Sequence, residues 1–204
     1  MAAREMVPAR GEYAPGVIVV VRGRTPDSAA SDLARTTAER VASAGDAVEL
    51  VAAVPADAGG DRYLLGLRTA KVGHAAVLRT PAPALEPADL DLALRYLPDV
   101  RAIVLVDPSP GTTGIAAASA AWSGAGLVVV GAGADGSDGA DDPGGSEGDD
   151  RTITVAGPAA DPDGAFAGFV AALAIRLAGG ASPAGAWADA TGALGVEAVS
   201  PSGS

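Results

Sequence analysis

Val17, Ile18, Val19, Val20 and Val21 form an unbroken β-branched run. It is far too short to span a membrane, and it predicts a strand buried on both faces. An Ala-rich stretch follows from Ser28 to Ala44, compatible with a helix that Asp27 or Ser28 caps and Gly45 ends. Val48 to Val54 predicts the next strand, 61–69 a short helix carrying Tyr63, Leu64, Leu65 and Leu67, and 72–78 a further strand. From Pro87 to Leu97 the apolar positions Leu90, Leu94 and Leu97 share one helical face. Ala102 to Val106 predicts a buried strand closing at Asp107-Pro108, 113–123 an Ala-rich helix, and Leu127 to Val130 another strand. This alternation predicts an α/β fold with a largely parallel sheet.

The pattern breaks at Gly131. From there to Asp150 the chain turns to Gly, Asp, Ser and Pro, the composition of a disordered acidic loop. Periodicity resumes at Arg151 to Val155, an expected strand, followed by a long apolar helix from about Pro162 to Leu177. A Gly179-Gly180 stop and a second Ala-rich helix, 183–194, come next. The expected organisation is a leader over 1–16, the first part of an α/β core over 17–130, the acidic loop over 131–150, and the remainder of the same domain over 151–204.

Composition removes several functions. The 204 residues carry 14 Lys+Arg against 25 Asp+Glu, a formal net charge of −11, which excludes a nucleic-acid-binding surface. There is no cysteine and one histidine, His74, so disulfides, thiolate metal sites and a cysteine nucleophile are ruled out and no metal site is expected. Lys71 is the sole lysine and lies outside any phosphate-binding Gly-x-x-x-x-Gly-Lys loop. No Gly-x-Ser-x-Gly elbow accompanies His74, which is expected to be structural. The first residues lack the apolar stretch of a signal peptide. The expectation is a cytoplasmic protein with no membrane partner.

Three stretches carry a resemblance. Asp163-Gly164-Ala165-Phe166-Ala167-Gly168-Phe169, with Leu177-Ala178-Gly179-Gly180 after it, resembles the Gly-Ala-Gly-Asp-Ala-Phe segment that opens a long helix in ribokinase-like (PfkB family) carbohydrate kinases. Ala44-Gly45-Asp46-Ala47-Val48 and Asp57-Ala58-Gly59-Gly60-Asp61 are similar to an upstream passage of that family. Glu86-Pro87-Ala88-Asp89-Leu90 is similar to a helix start beyond its lid. Together they cover some two thirds of the chain in the family's order. The resemblance implies a three-layer α/β/α fold, with the lid sheet reduced or absent because no strands suited to it follow Val21. It also implies transfer of a phosphoryl group from ATP, with magnesium, to a sugar or nucleoside hydroxyl.

The same alignment removes the family's chemistry. With Ala165-Phe166 on the family's Ala-Phe, the catalytic base falls on Gly164, and the backbone anion hole on Asp161, Pro162 and Asp163. Glycine accepts no proton and proline offers no N–H. A carboxylate beside the phosphate path repels it by about 1–4 kcal/mol per close pair. Asp161 as N-cap, Pro162 at the first helical position and Asp163 beside the helix dipole describe an ordinary helix start. The family's sugar-holding glycines and asparagine fall on Ser31, Asp32 and Thr36. A Gly-rich turn after a strand, with Gly131, Gly133 and Gly136, resembles the nucleotide turn but leads into acidic residues. Pro110-Gly111-Thr112-Thr113-Gly114 is read as a turn and cap, with anion binding as its alternative.

The sequence therefore reads as a ribokinase-like homologue that is catalytically inactive, with no cofactor required, binding a small sugar or nucleoside or acting through a partner. Two alternatives stay open. One is an active kinase using ATP and magnesium, with Asp163 as base and Gly131, Gly133, Gly136, Gly164 and Ala165 around the nucleotide. The other is a structural subunit of a homodimer or of a complex with an active paralogue.

Overall fold

The computed structural model of the chain describes residues 16–24, 32–81, 84–132 and 151–193. The expected leader up to residue 15, the acidic stretch over 133–150, the tail from residue 194, and the expected caps Asp27 and Ser28 lie outside the described residues.

Six strands alternate with six helices: β1 (Val17–Arg22), α1 (Leu33–Ala44), β2 (Val48–Pro55), α2 (Ala58–Thr69), β3 (Val77–Thr80), α3 (Pro87–Tyr96), β4 (Val100–Val106), α4 (Thr112–Ser123), β5 (Gly126–Ala132), β6 (Thr152–Gly157), α5 (Ala165–Ala178) and α6 (Pro183–Ala193). The strands form one sheet in the order β3-β2-β1-β4-β5-β6, and every pairing is parallel. Among the described residues all strands belong to this sheet, and no helix is long and apolar enough to cross a membrane.

Alternation along the strands builds two cores. Ile18, Val20, Leu50, Val104 and Val128 face a layer holding α1, α2, α5 and α6, where Ala38, Val41, Leu67, Val170 and Leu173 pack. Val19, Val21, Ile103, Leu105 and Val129 face a layer holding α3 and α4, which presents Leu90, Leu94, Ala116 and Ala120. The expected three-layer α/β/α architecture is thus present. With so few rings, the core closes by approach of backbones. Gly126 is the extreme case: a Cβ there would lie 2.7 Å from the Leu177 Cβ, so glycine lets α5 settle directly onto β5. The aromatic packing sits between α5 and α6, where Phe169 meets Trp187 edge-on at 5.3 Å.

Several boundaries differ from expectation, each for a local reason. α1 starts at Leu33, because the buried Asp32 accepts from the Arg35 N–H and serves as its cap. α2 starts three residues early, because Asp57 accepts from the Gly59 and Gly60 N–H groups and pulls two glycines into the helix. The expected strand over 72–78 forms only at its end: 72–76 is a loop with a lone bridge at Gly73, and β3 occupies Val77–Thr80. β5 runs on through Gly131 and Ala132, paired with Ala156 and Gly157, so these two residues belong to the sheet rather than to the acidic loop. α5 begins at Ala165 with Gly164 as its N-cap, so the expected cap at Asp161 and first helical position at Pro162 are corrected: both precede the helix.

The Thr37 hydroxyl is fully buried against the first core and has no hydrogen-bond partner. Such a group costs the folded state its lost hydration. Thr37→Val keeps the shape and removes the orphan, and is expected to stabilise the protein by about 1 kcal/mol. The melting temperature should then rise by about 2–4 °C. A thermal melt checks this, and an unchanged or lower value contradicts it.

Candidate functional site

In an open parallel sheet, ligands gather outside the carboxyl ends of the strands where the strand order reverses. Here that point lies between β1 and β4. β1 ends in Arg22, whose side chain is only 6% exposed and pairs with the 3% exposed Asp32 at 2.9 Å. The same guanidinium donates to the Ala53 carbonyl at the end of β2. Asp32 also accepts from the Tyr63 hydroxyl of α2 at 2.9 Å and from the Arg35 N–H at 3.0 Å. Its carbonyl accepts from the Thr36 hydroxyl at 3.1 Å. The guanidinium groups of Arg22 and Arg35 lie 5.0 and 5.3 Å from the Tyr63 ring centre, within cation–π range. Burial first, then the Asp32 charge, drives the Tyr63 hydroxyl well above its ordinary pKa despite the two arginines, so it remains a donor.

The mouth of the crevice is narrow. Gly23 follows Arg22, and a Cβ there would lie 2.3 Å from the Asp107 carbonyl oxygen. Asp107 ends β4 with φ 49°, a left-handed conformation that aspartate tolerates better than most residues. Its half-buried carboxyl is raised above the usual range chiefly by burial, with the Arg24 charge opposing and the Asp32 charge adding. Beyond it, α4 opens on Gly111 at φ 84° with no side-chain cap, and the Thr112 hydroxyl donates to the Ser109 carbonyl. The Pro110 to Gly114 stretch therefore makes the turn expected of it.

The start of α5 is organised differently. The Asp161 carboxylate reaches forward and accepts from the Phe166 N–H at 3.1 Å and the Ala167 N–H at 2.8 Å, one oxygen to each. A negative group thus sits on the positive end of the helix. Gly164 is buried at φ +65°, and a Cβ there would lie 2.9 Å from an Arg40 Nη. Asp163 is exposed, and its carbonyl accepts from Arg40 at 3.3 Å. Ala165 is exposed at the first helical position. The structure brings Gly164 and Ala165 to a helix N-terminus, where the Asp161 carboxylate takes the next two amides, those of Phe166 and Ala167. Gly131 lies in the β5–β6 ladder rather than in a turn, and Gly133 and Gly136 lie outside the described residues.

Sequence reasoning missed Arg22, Tyr63 and Asp107. The signal for two of them was available: a charged residue directly at the end of a fully buried strand run, Arg22 after Val21 and Asp107 after Val106, sits where crevices form. Tyr63 offered none, because its role depends on the Asp32 carboxylate 31 positions away.

No family profile matches the sequence, and no curated protein matches it. Solved structures do. An Agrobacterium tumefaciens protein assigned as a ribokinase aligns with a TM-score of 0.54 at 14% identity, over 84% of this chain and 87% of its own. The Halothermothrix orenii fructokinase aligns with a TM-score of 0.53 at 14% identity, over 87% of this chain and 97% of its own. The Xylella fastidiosa fructokinase gives 0.47 at 13% identity over 61% of this chain, which spans about half of it, 54%. The chain has the ribokinase-like carbohydrate kinase fold.

Two outcomes follow from the crevice. Asp32→Asn leaves the Arg22 charge buried without its counter-ion and is expected to cost about 3–5 kcal/mol, read by denaturant unfolding. The double substitution Arg22→Met, Asp32→Leu should cost less than Asp32→Asn alone, and a larger cost would refute a buried-charge origin. For Asp107 the folded pKa is raised, so ionisation opposes folding, and protonation restores stability as pH falls through the folded value towards the unfolded one. Asp107→Asn should therefore be more stable than the parent at neutral pH. The advantage should close as pH drops below the ordinary aspartate range, and a gap independent of pH would contradict this.

Proposed function

We propose that this chain is a catalytically silent protein on a ribokinase-like scaffold, closed to phosphoryl transfer by its own carboxylate. One observation carries the reading: Asp161 accepts from the Phe166 and Ala167 amides at the start of α5, the helix end to which an incoming phosphoryl group would be drawn. A second negative group at that helix end would meet a fixed charge rather than free donors. The residues present do not suit ATP and magnesium at this position. Gly164, where a base would stand, is a left-handed glycine backed by Arg40, and the Asp163 side chain is exposed beside it. Asp32, one of the positions that would hold a sugar, spends both carboxylate oxygens within the chain.

Binding of a small sugar or nucleoside is a second reading, favoured by the uncapped start of α4 at Gly111 beside the half-buried Asp107. The function would then be ligand sensing without turnover. A role through a protein partner is equally compatible with a closed α5.

The test is a nucleotide titration of the wild type and two variants. No ATP turnover and no rise in melting temperature with Mg-ATP are expected of the wild type. Asp161→Ala removes the cap, costing about 1–2 kcal/mol, and frees the two amides. Inorganic phosphate or sulfate should then raise the melting temperature of this variant more than that of the wild type. ATP turnover by the wild type that is lost in Asp163→Ala would instead make Asp163 a base and the chain a working sugar or nucleoside kinase. A sugar or nucleoside that shifts the melting temperature without turnover would establish the sensing reading.

A further inference from the structure

We propose that the free edge of β6 pairs with β6 of a second copy of this chain, antiparallel across a two-fold axis at Thr154, joining the two sheets. This does not rest on the state of α5.

Among the described residues β6 is the last strand of the sheet, and no strand pairs with its outer edge. The Leu127 N–H donates to the Arg151 carbonyl, which turns the backbone of Arg151, Ile153 and Val155 towards β5. The N–H and C=O groups of Thr152, Thr154 and Ala156 therefore point away from β5 along the open edge, and all three residues are exposed. Unpaired edge groups of this kind are templates for another strand.

The strand is self-complementary in one register. Placing Thr154 opposite Thr154 of the second copy sets Thr152 opposite Ala156 and Ala156 opposite Thr152. All three outward-facing residues then exchange both groups, making about six hydrogen bonds. A slip of two residues towards the C-terminus brings in Pro158, which has no N–H to donate. In the favoured register Ile153 lies opposite Val155, so the apolar side facing α5 continues across the junction. On the other side two threonines meet, a favourable cross-strand pair.

The two sheet edges differ in a way that directs this pairing. β3 has four residues and carries Arg79, which pairs with Asp61 at 2.8 Å, so it is short and charged, as protected edges are. β6 has six residues, Thr-Ile-Thr-Val-Ala-Gly, with no charged side chain. In a chain of net charge −11 it is a neutral strip on which a like-charged copy can dock. Strand pairing alone buries less surface than a permanent dimer, so a dissociation constant of about micromolar or weaker is expected. Because two acidic copies repel each other, salt should strengthen the association.

Sedimentation velocity over a concentration series up to about 0.1 mM should show a monomer–dimer equilibrium that added salt shifts towards dimer. Thr154→Pro removes an outward-facing N–H, which an edge strand tolerates, and should abolish the dimer while circular dichroism stays unchanged. Thr154→Lys, which keeps the backbone, should weaken it likewise. The chain contains no cysteine, so Thr154→Cys gives one thiol per copy. Paired residues in this register have Cα atoms about 5.5 Å apart, within disulfide reach. Mild oxidation should link the copies through Thr154→Cys and not through Thr113→Cys on the exposed side of α4. A wild type that stays monomeric throughout, a dimer that survives both Thr154→Pro and Thr154→Lys, or equal crosslinking at the two cysteines would each overturn the proposal.

Discussion

The buried ion pair between Arg22 and Asp32 is the constraint around which the first half of the sheet is arranged. Each charge would be costly alone at such burial, so the fold must bring partners to all of their polar atoms. Arg22 ends β1 and reaches the end of β2 through Ala53. Asp32 caps α1 and holds the Tyr63 hydroxyl of α2. Two strands and two helices are thereby fixed relative to one another at a single point, and that point is where the strand order reverses. The crevice that such sheets normally offer to a ligand is here occupied by the charges that hold it in place.

The same solution recurs along the carboxyl edge of the sheet. α1 and α2 begin on a chain aspartate, Asp32 and Asp57, and Asp161 reaches the first amides of α5 from ahead of the helix. At Asp57 the two glycine N–H groups hold the carboxyl below its usual range, the signature of a carboxylate that satisfies a helix end. α3 opens with Pro87 at its first turn, which supplies no amide. Only α4, starting on a left-handed glycine, has neither device. Along this edge, three helix N-termini are satisfied by carboxylates of the chain itself.

Much of the fold was legible because buried parallel strands write themselves as continuous runs. Val17 to Val21 and Ala102 to Val106 leave no other reading, and Gly45 and Gly179-Gly180 end their helices where expected. The errors cluster where one interaction overrode composition. Gly59 and Gly60 look like a loop until Asp57 caps them, and Gly131 looks like a turn until β6 pairs with it. The segment over 72–78 has strand-like residues, but Lys71 takes a left-handed φ of 60° just before it, and the chain reaches β2 only at Gly73 before β3 begins. At the site, the glycine where the resemblance would put a base, Gly164, could be read from the sequence alone. The carboxylate contact on the start of α5 could not, because it depends on Asp161 reaching across five and six positions to Phe166 and Ala167.

That last contact also bears on what holds the start of α5 in place. A helix as apolar as α5 is buried along most of its length, so its N-terminus must lie close to the core whether or not anything binds there. A protein that receives an anion at that end gains stability only in proportion to ligand concentration. Asp161 supplies the negative charge covalently, at an effective concentration no free ligand matches. The helix is then satisfied permanently.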